Sequence, residues 1–292
     1  MNWLCGLAGM LVPLGVQDTI KFRVGVELVY VDAFVSLDGE PVGGLTAEDF
    51  EVYDDGERQR VELIDAASLP RSVVLLVDRS ASISGKRREL LVEALKRFAD
   101  QLNEDDECAV LSFAEQLTLD HPMALGLAME NVALDWEEGR ATALSDAVYL
   151  TLQYLRGAEG RPLLIVFTDG EDNASWTSAE ALLHAVRTSE VVVYAVNVRS
   201  QEKLAPGGSS ARGAERLEEL TRFTGGRLVW AEHQEELTDA YRKILSEVST
   251  RYLLAFTPPP DARPGWHDLR VEVTGASDTS VRTRSGYVVS NR

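Results

Sequence analysis

Thiol and imidazole groups are scarce in this 292-residue chain, which has two cysteines and four histidines. Cys5 and Cys108 cannot build a disulfide framework or a thiolate metal site. His121, His184, His233 and His267 lack the short spacing by which one element ligates zinc. Positive charge is also short: 29 Lys+Arg stand against 47 Asp+Glu, a formal charge of -18. That excess repels phosphate backbones and anionic headgroups, which argues against nucleic acid as a partner. The chain has no G-x-S-x-G elbow for a serine hydrolase and no Gly-rich phosphate loop with a following Lys-Ser/Thr. Nor is there an apolar run long enough to serve as a transmembrane segment. The opening "MNWLCGLAGMLVPLGVQ" has the length of a secretory h-region, although no Lys or Arg precedes Lys21 and "GVQ" is a poor cleavage site. Residues 1–18 are read as a signal or leader, and the protein as exported: secreted, periplasmic or on the cell surface.

The remaining composition, 45% hydrophobic and 26% charged, is that of a soluble globular protein able to bury a sizeable core. Residues 19–68 alternate with a period of two and are rich in β-branched side chains. They predict strands, with "DGEPVGG" as a turn and Asp55-Gly56 as the tight turn of a hairpin. From residue 69 to 250 the pattern changes to near-continuous Val/Ile/Leu runs separated by helical periodicity. Helices are expected over residues 86–103, 124–134, 143–155, near "AEALLHAVRTS", and over 214–224 and 234–248, with residues 205–214 a Gly/Ser-rich loop. Such alternation predicts a doubly wound, mostly parallel α/β sheet covered on both faces. Residues 251–292 return to strands. Neither β segment looks self-sufficient, and together they supply about seven strands, so we expect 251–292 to pair with 19–68 in a small β-sandwich into which the α/β domain is inserted.

The stretch "VVLLVDRSASISGK" carries the chemistry. Its strand delivers Asp78 to the carboxyl edge of the sheet, where ligands of doubly wound folds bind, and alternate positions Ser80 and Ser82 point the same way. "PLLIVFTDG" brings Asp169 to the same edge, and "GRATALSDAV" sets Thr142 at the mouth of a helix. Two carboxylates and three hydroxyls form an all-oxygen set, which selects hard divalent cations, Mg²⁺ in particular, with Mn²⁺ or Ca²⁺ as alternatives. Taken singly, each residue has a plainer reading. Ser82 or Ser84 could cap the helix near Gly85, Thr142 could be an N-cap, Asp169-Gly170 could be a turn, and "EDN" at 171–173 reads as solvated rim.

"DRSAS", "ATALSDA" and "FTDGEDN" resemble, in order, the D-x-S-x-S, Thr and Asp-Gly elements of the metal-ion-dependent adhesion site of von Willebrand factor type A domains. The match spans roughly residues 71–250. The flanks "VDAFVSLDGEPVGGLTAEDFEVYDDGERQRV" and "RYLLAFTPPP" resemble bacterial secreted proteins of a von Willebrand factor A-related group. The resemblance implies metal binding by Ser80, Ser82 and Thr142, with Asp78 and Asp169 acting directly or through water. It also implies recognition of a protein partner that supplies an Asp or Glu carboxylate. Arg79 departs from the family pattern, where smaller residues are common, and is expected to point outward. The leading reading is a non-enzymatic, metal-dependent binding or adhesion module. Alternatives are a magnesium-dependent hydrolase or phosphotransferase using Asp78, and a structural domain with a vestigial site.

Overall fold

The computed structural model describes residues 28–64, 69–128, 141–199, 207–275 and 278–289, together with 132, 134, 136 and 139. The leader reading of residues 1–18, and the strand expected before residue 28, lie outside the described residues.

The chain enters through β1 (Val29–Leu37), β2 (Glu40–Pro41), β3 (Phe50–Asp54), β4 (Glu57–Gln59) and β5 (Glu62–Ile64), with one 3-10 turn at Ala47–Asp49. Asp55 and Gly56 both take positive φ, 48° and 88°, which is the turn that Asp-Gly favours between twisted strands. The central unit then runs β6 (Arg71–Asp78), α1 (Lys86–Ala99), β7 (Glu107–Phe113), β8 (Leu117–Leu125), α2 (Leu144–Leu155), β9 (Arg161–Thr168), α3 (Ala179–Arg187), β10 (Val192–Asn197), α4 (Ser209–Thr224), β11 (Arg227–Trp230) and α5 (Gln234–Thr250). The chain leaves through β12 (Tyr252–Phe256), β13 (Gly265–Val273), β14 (Thr279–Arg282) and β15 (Gly286–Val289).

The six central strands pair in the order β11-β10-β9-β6-β7-β8, all parallel except edge strand β8. Every residue of β6 after Arg71 is buried, because helices cover both faces and leave no polar side to alternate. Two apolar clusters fill these two layers, one under α1 and α5 and one under α2, α3 and α4. The order reverses between β6 and β9, so a crevice opens beyond their carboxyl ends.

The outer strands form two further sheets. One runs β14-β1-β12-β5 with β2 on its side, and the other runs β15-β13-β3-β4. They enclose a shared core of residues from both chain ends, including Val31, Val52, Leu254 and Val271. The terminal segments thus co-fold as the expected sandwich around an inserted α/β unit. The sandwich sits at the amino end of the central sheet. There Asp32 of β1 binds Arg161 at the start of β9, at 2.6 Å, and also Arg251.

Three expectations fail locally. The apolar run at 124–134 is not helical among its described residues: Ala124 and Leu125 close β8, which pairs antiparallel with β7. A half-buried edge strand and a short amphipathic helix share apolar content at this length, so the wrong period was read. Residues 209–214 open α4 and are not loop, since Gly208 ends the Gly/Pro run and Ser-Ser-Ala-Arg can start a helix. "SVRTRSGYVV" divides into two strands, β14 and β15, which join different sheets.

Candidate functional site

Asp78 ends β6 and Asp169 follows β9, so the two carboxylates stand at the strand ends that flank the crevice, each with 0% exposure. Asp78 Oδ1 accepts the Ser80 N–H at 2.9 Å and Oδ2 accepts the Thr168 hydroxyl at 2.7 Å. Burial pushes the Asp78 carboxyl up to about 6, and the charge of Asp169 adds to the shift. Two buried like charges call for a countercharge.

The Ser80 and Ser82 hydroxyls meet at the same edge. Ser80 Oγ and Ser82 Oγ are 3.0 Å apart. The Ala81 N–H donates to the Gly139 carbonyl at 3.2 Å, which docks this turn against a residue three positions before Thr142. Thr142 is buried; its N–H donates to Asn173 Oδ1 at 2.8 Å, and its carbonyl accepts from Asn173 and Ala174 at 2.9 and 3.0 Å. The segment after Asp169 therefore holds the Thr142 segment in place. Neither plain capping reading holds: Gly85 caps α1 and Ala143 caps α2, both without a side-chain hydrogen bond. Asp169 does form a turn, Oδ1 accepting the Glu171 N–H at 3.1 Å. Gly170 makes that turn at φ +80°, and its carbonyl lies where a Cβ on Gly213 of α4 would fall, 1.6 Å away.

Arg79 points away from Asp78. Its guanidinium reaches Thr118 of β8 at 3.3 Å. The cation that does enter is Arg199, just beyond β10, whose Nη2 lies 2.7 Å from Asp169 Oδ2 and 2.8 Å from Glu171. Sequence reading missed it, although a residue just past the next strand belongs to the same edge by topology. Of "EDN", Glu171 is half-buried and Asn173 exposed, as a rim would be, but the Asp172 side chain is covered, binding Ser145 Oγ at 2.6 Å and Arg216, and Asn173 braces Thr142.

The donor set suits a hard dication. Oxygens adjacent in an octahedron with 2.0–2.1 Å bonds are about 2.9 Å apart, close to the Ser80–Ser82 separation, and the two carboxylates supply the charge. A second group of ligating side chains, Asp54, Asp55 and His267, has its atoms within 4.8 Å of one another in the sandwich. There His267 Nδ1 faces Asp54 at 2.9 Å while Nε2 faces the Arg263 carbonyl at 2.8 Å, acceptors that favour the protonated ring. Both ring nitrogens are thus engaged by protein groups, and a metal would have to displace one of these contacts.

The model of the von Willebrand factor type A domain matches residues 72–222. Two curated relatives are inter-alpha-trypsin inhibitor heavy chain H4 from Bos taurus, 26% identical over 38% of this chain, and its Homo sapiens counterpart, 28% identical over 41%. The chain spans 14% of the length of each. Among solved structures, a von Willebrand factor type A protein from Catenulispora acidiphila superposes with a TM-score of 0.50 at 10% identity, covering 94% of this chain and 76% of that one. The PilB minor pilin from Streptococcus sanguinis gives 0.51 at 11% identity, covering 62% of each chain.

Proposed function

This chain belongs to the von Willebrand factor type A domain family, and from that premise we propose that it is a metal-dependent protein-binding module. Residues 69–250 would carry the site, and residues 19–68 with 251–292 would make up the sandwich that presents it. One observation carries the reading. The two strands flanking the switch point each deliver a buried carboxylate to a shared edge, and the adjacent hydroxyls are spared from capping and face one another. Ser80, Ser82 and Thr142 would hold Mg²⁺, or Mn²⁺ or Ca²⁺, with Asp78 and Asp169 bonded to it directly or through water. The ion would supply an electrophilic coordination position for an Asp or Glu carboxylate of the partner, since three of the five ligands are neutral.

Asp78 is ill suited to nucleophilic catalysis, because it is buried and both of its oxygens accept hydrogen bonds. Among the described residues no helix is long and apolar enough to cross a membrane. The Arg199–Asp169 pair favours one other reading, in which the guanidinium replaces a metal and the domain is purely structural.

A metal titration decides between the two. If the site works, Mg²⁺ or Mn²⁺ at ~100 times its dissociation constant stabilises the fold by about 2.7 kcal/mol, and Asp169→Ala abolishes the gain. Partner capture from a source extract then disappears with EDTA and with Thr142→Ala. A melting temperature unmoved by any divalent ion refutes the metal reading and leaves the structural one.

A further inference from the structure

Trp176 is 96% exposed, whereas the next most exposed large apolar side chain among the described residues, Leu125, is 62% exposed. An indole left in water forgoes a large burial gain, so its position calls for a reason. It lies on the segment between Asp169 and α3, at the same edge as the candidate metal site.

That segment is fastened along its length. Asn173 and Ala174 bond the Thr142 carbonyl, the Ser175 hydroxyl accepts the Ser145 N–H at 3.0 Å, and Asp146 of α2 accepts the N–H groups of Trp176 and Thr177 at 3.0 and 2.7 Å. The backbone under Trp176 is therefore set by the first turn of α2 and by Thr142 itself. Docking against the indole freezes only its two side-chain torsions, which is the low-entropy arrangement of an interface anchor. Its neighbours are acidic. Glu180 lies at the start of α3, Asp146 lies beneath and the chain carries -18 overall, while Glu171 and Asp172 of the same segment are paired with Arg199 and Arg216. An indole face in a negative field attracts cations, lysine or arginine above all.

We propose that Trp176 selects partners in which a lysine or arginine lies beside the carboxylate that seeks the metal, the cation stacking on the indole while the acid reaches the ion. The inference rests on the metal-binding reading above.

The test exposes the immobilised full chain to synthetic peptides with one central Asp flanked by Arg, Lys, Leu or Glu, in millimolar Mg²⁺ and in EDTA. Wild type is compared with Trp176→Ala and Trp176→Phe, both surface changes. The expected result is Mg²⁺-dependent capture that favours Arg- or Lys-flanked peptides by about two- to fivefold, the range of a cation–π contact at an exposed site. Trp176→Ala should erase the preference, and Trp176→Phe should restore part of it. A preference unchanged in Trp176→Ala, with Mg²⁺ dependence intact, overturns this inference alone. Capture that is equal in EDTA overturns the metal-dependent reading and this inference with it, whereas wild type that captures no peptide while Mg²⁺ still raises its melting temperature overturns this inference alone.

Discussion

Asp78→Asn should stabilise the metal-free protein while abolishing its metal binding. The Asp78 carboxyl is raised from its ordinary 3.8 to about 6, first by burial and then by Asp169. A difference of about two pH units corresponds to about 3 kcal/mol. The sign follows from proton linkage: the folded state holds this proton more tightly than the unfolded chain, so stability falls as pH rises from about 4 to about 6 and the whole cost remains at pH 7. Asparagine carries no charge to desolvate. Its carbonyl can accept the Ser80 N–H, and its amide can donate to Thr168 Oγ, whose hydroxyl then turns elsewhere. Some of the gain is lost in that rearrangement, leaving about 1–3 kcal/mol. Urea unfolding in EDTA at pH 4, 5.5 and 7.5 should show the variant gaining on wild type as pH rises, and the order should reverse at pH 7.5 when saturating Mg²⁺ stabilises wild type alone. Parallel pH profiles in EDTA would refute the reasoning, since other titrating groups cancel in the difference.

Arg199→Gln removes the guanidinium that shares Asp169 with any incoming ion; Mg²⁺ affinity measured by calorimetry should rise about tenfold, the order expected from removing one like charge in a partly solvated site. Gly213→Ala drives a methyl into the Gly170 carbonyl and must displace the Asp169 turn, so metal binding should be lost along with about 1–3 kcal/mol of stability in denaturant titration. His267→Gln tests the sandwich cluster. Burial alone would lower the imidazole, but the Arg263 carbonyl, Asp54 and Asp55 outweigh it and raise it, so its contribution is fully present below pH 6.5 and fades as pH rises through the folded-state value. Melting temperatures of wild type should drop towards those of the variant between pH 6 and 9, with no response to chelator; a drop caused by EDTA would instead mark the cluster as a metal site.

The layer order of the α/β unit was legible because buried parallel strands leave an unmistakable trace: "VVLLV", "PLLIVF" and "VVVYAV" have no polar side, and each ends in the polar residues that form the edge. Asp78 and Ser80 were legible for the same reason, since the strand carries both to the edge, whereas Ser82 reaches Ser80 through a turn in which the Ile83 N–H donates to the Ser80 carbonyl at 2.9 Å. What could not be read is what depends on long-range packing. Arg199 follows Asp169 by 30 residues, and nothing local says that its side chain turns back across the edge. Asp172 looks like any solvated acid until α4 brings Arg216 over it. Residues 124–134 failed because an edge strand with a register shift at Val110 has neither a clean period of two nor a helical one.

The two ends of the molecule divide its work. The site lies at the carboxyl edge of the central sheet, and the sandwich is clasped to the opposite edge by Arg251, whose side chain is 2% exposed. That guanidinium donates to the Asp32 carboxylate and its carbonyl, to the Tyr194 hydroxyl at 3.0 Å and to the Gly225 carbonyl at 2.9 Å, so a single residue ties β1 to β10 and to the end of α4. Asp32 is shared with Arg161, and although burial alone would raise its carboxyl, the two arginines hold it below the ordinary range. Removing one partner from such a buried pair strands the other charge, which typically costs about 3–5 kcal/mol. The clasp therefore makes the junction stiff where chain enters and leaves, while the crevice at the far edge is built from turns and buried polar side chains. An inserted domain held this way turns the carboxyl edge of its sheet away from both segments of the sandwich, so a partner bound there, as proposed, would meet no obstruction from the flanking strands.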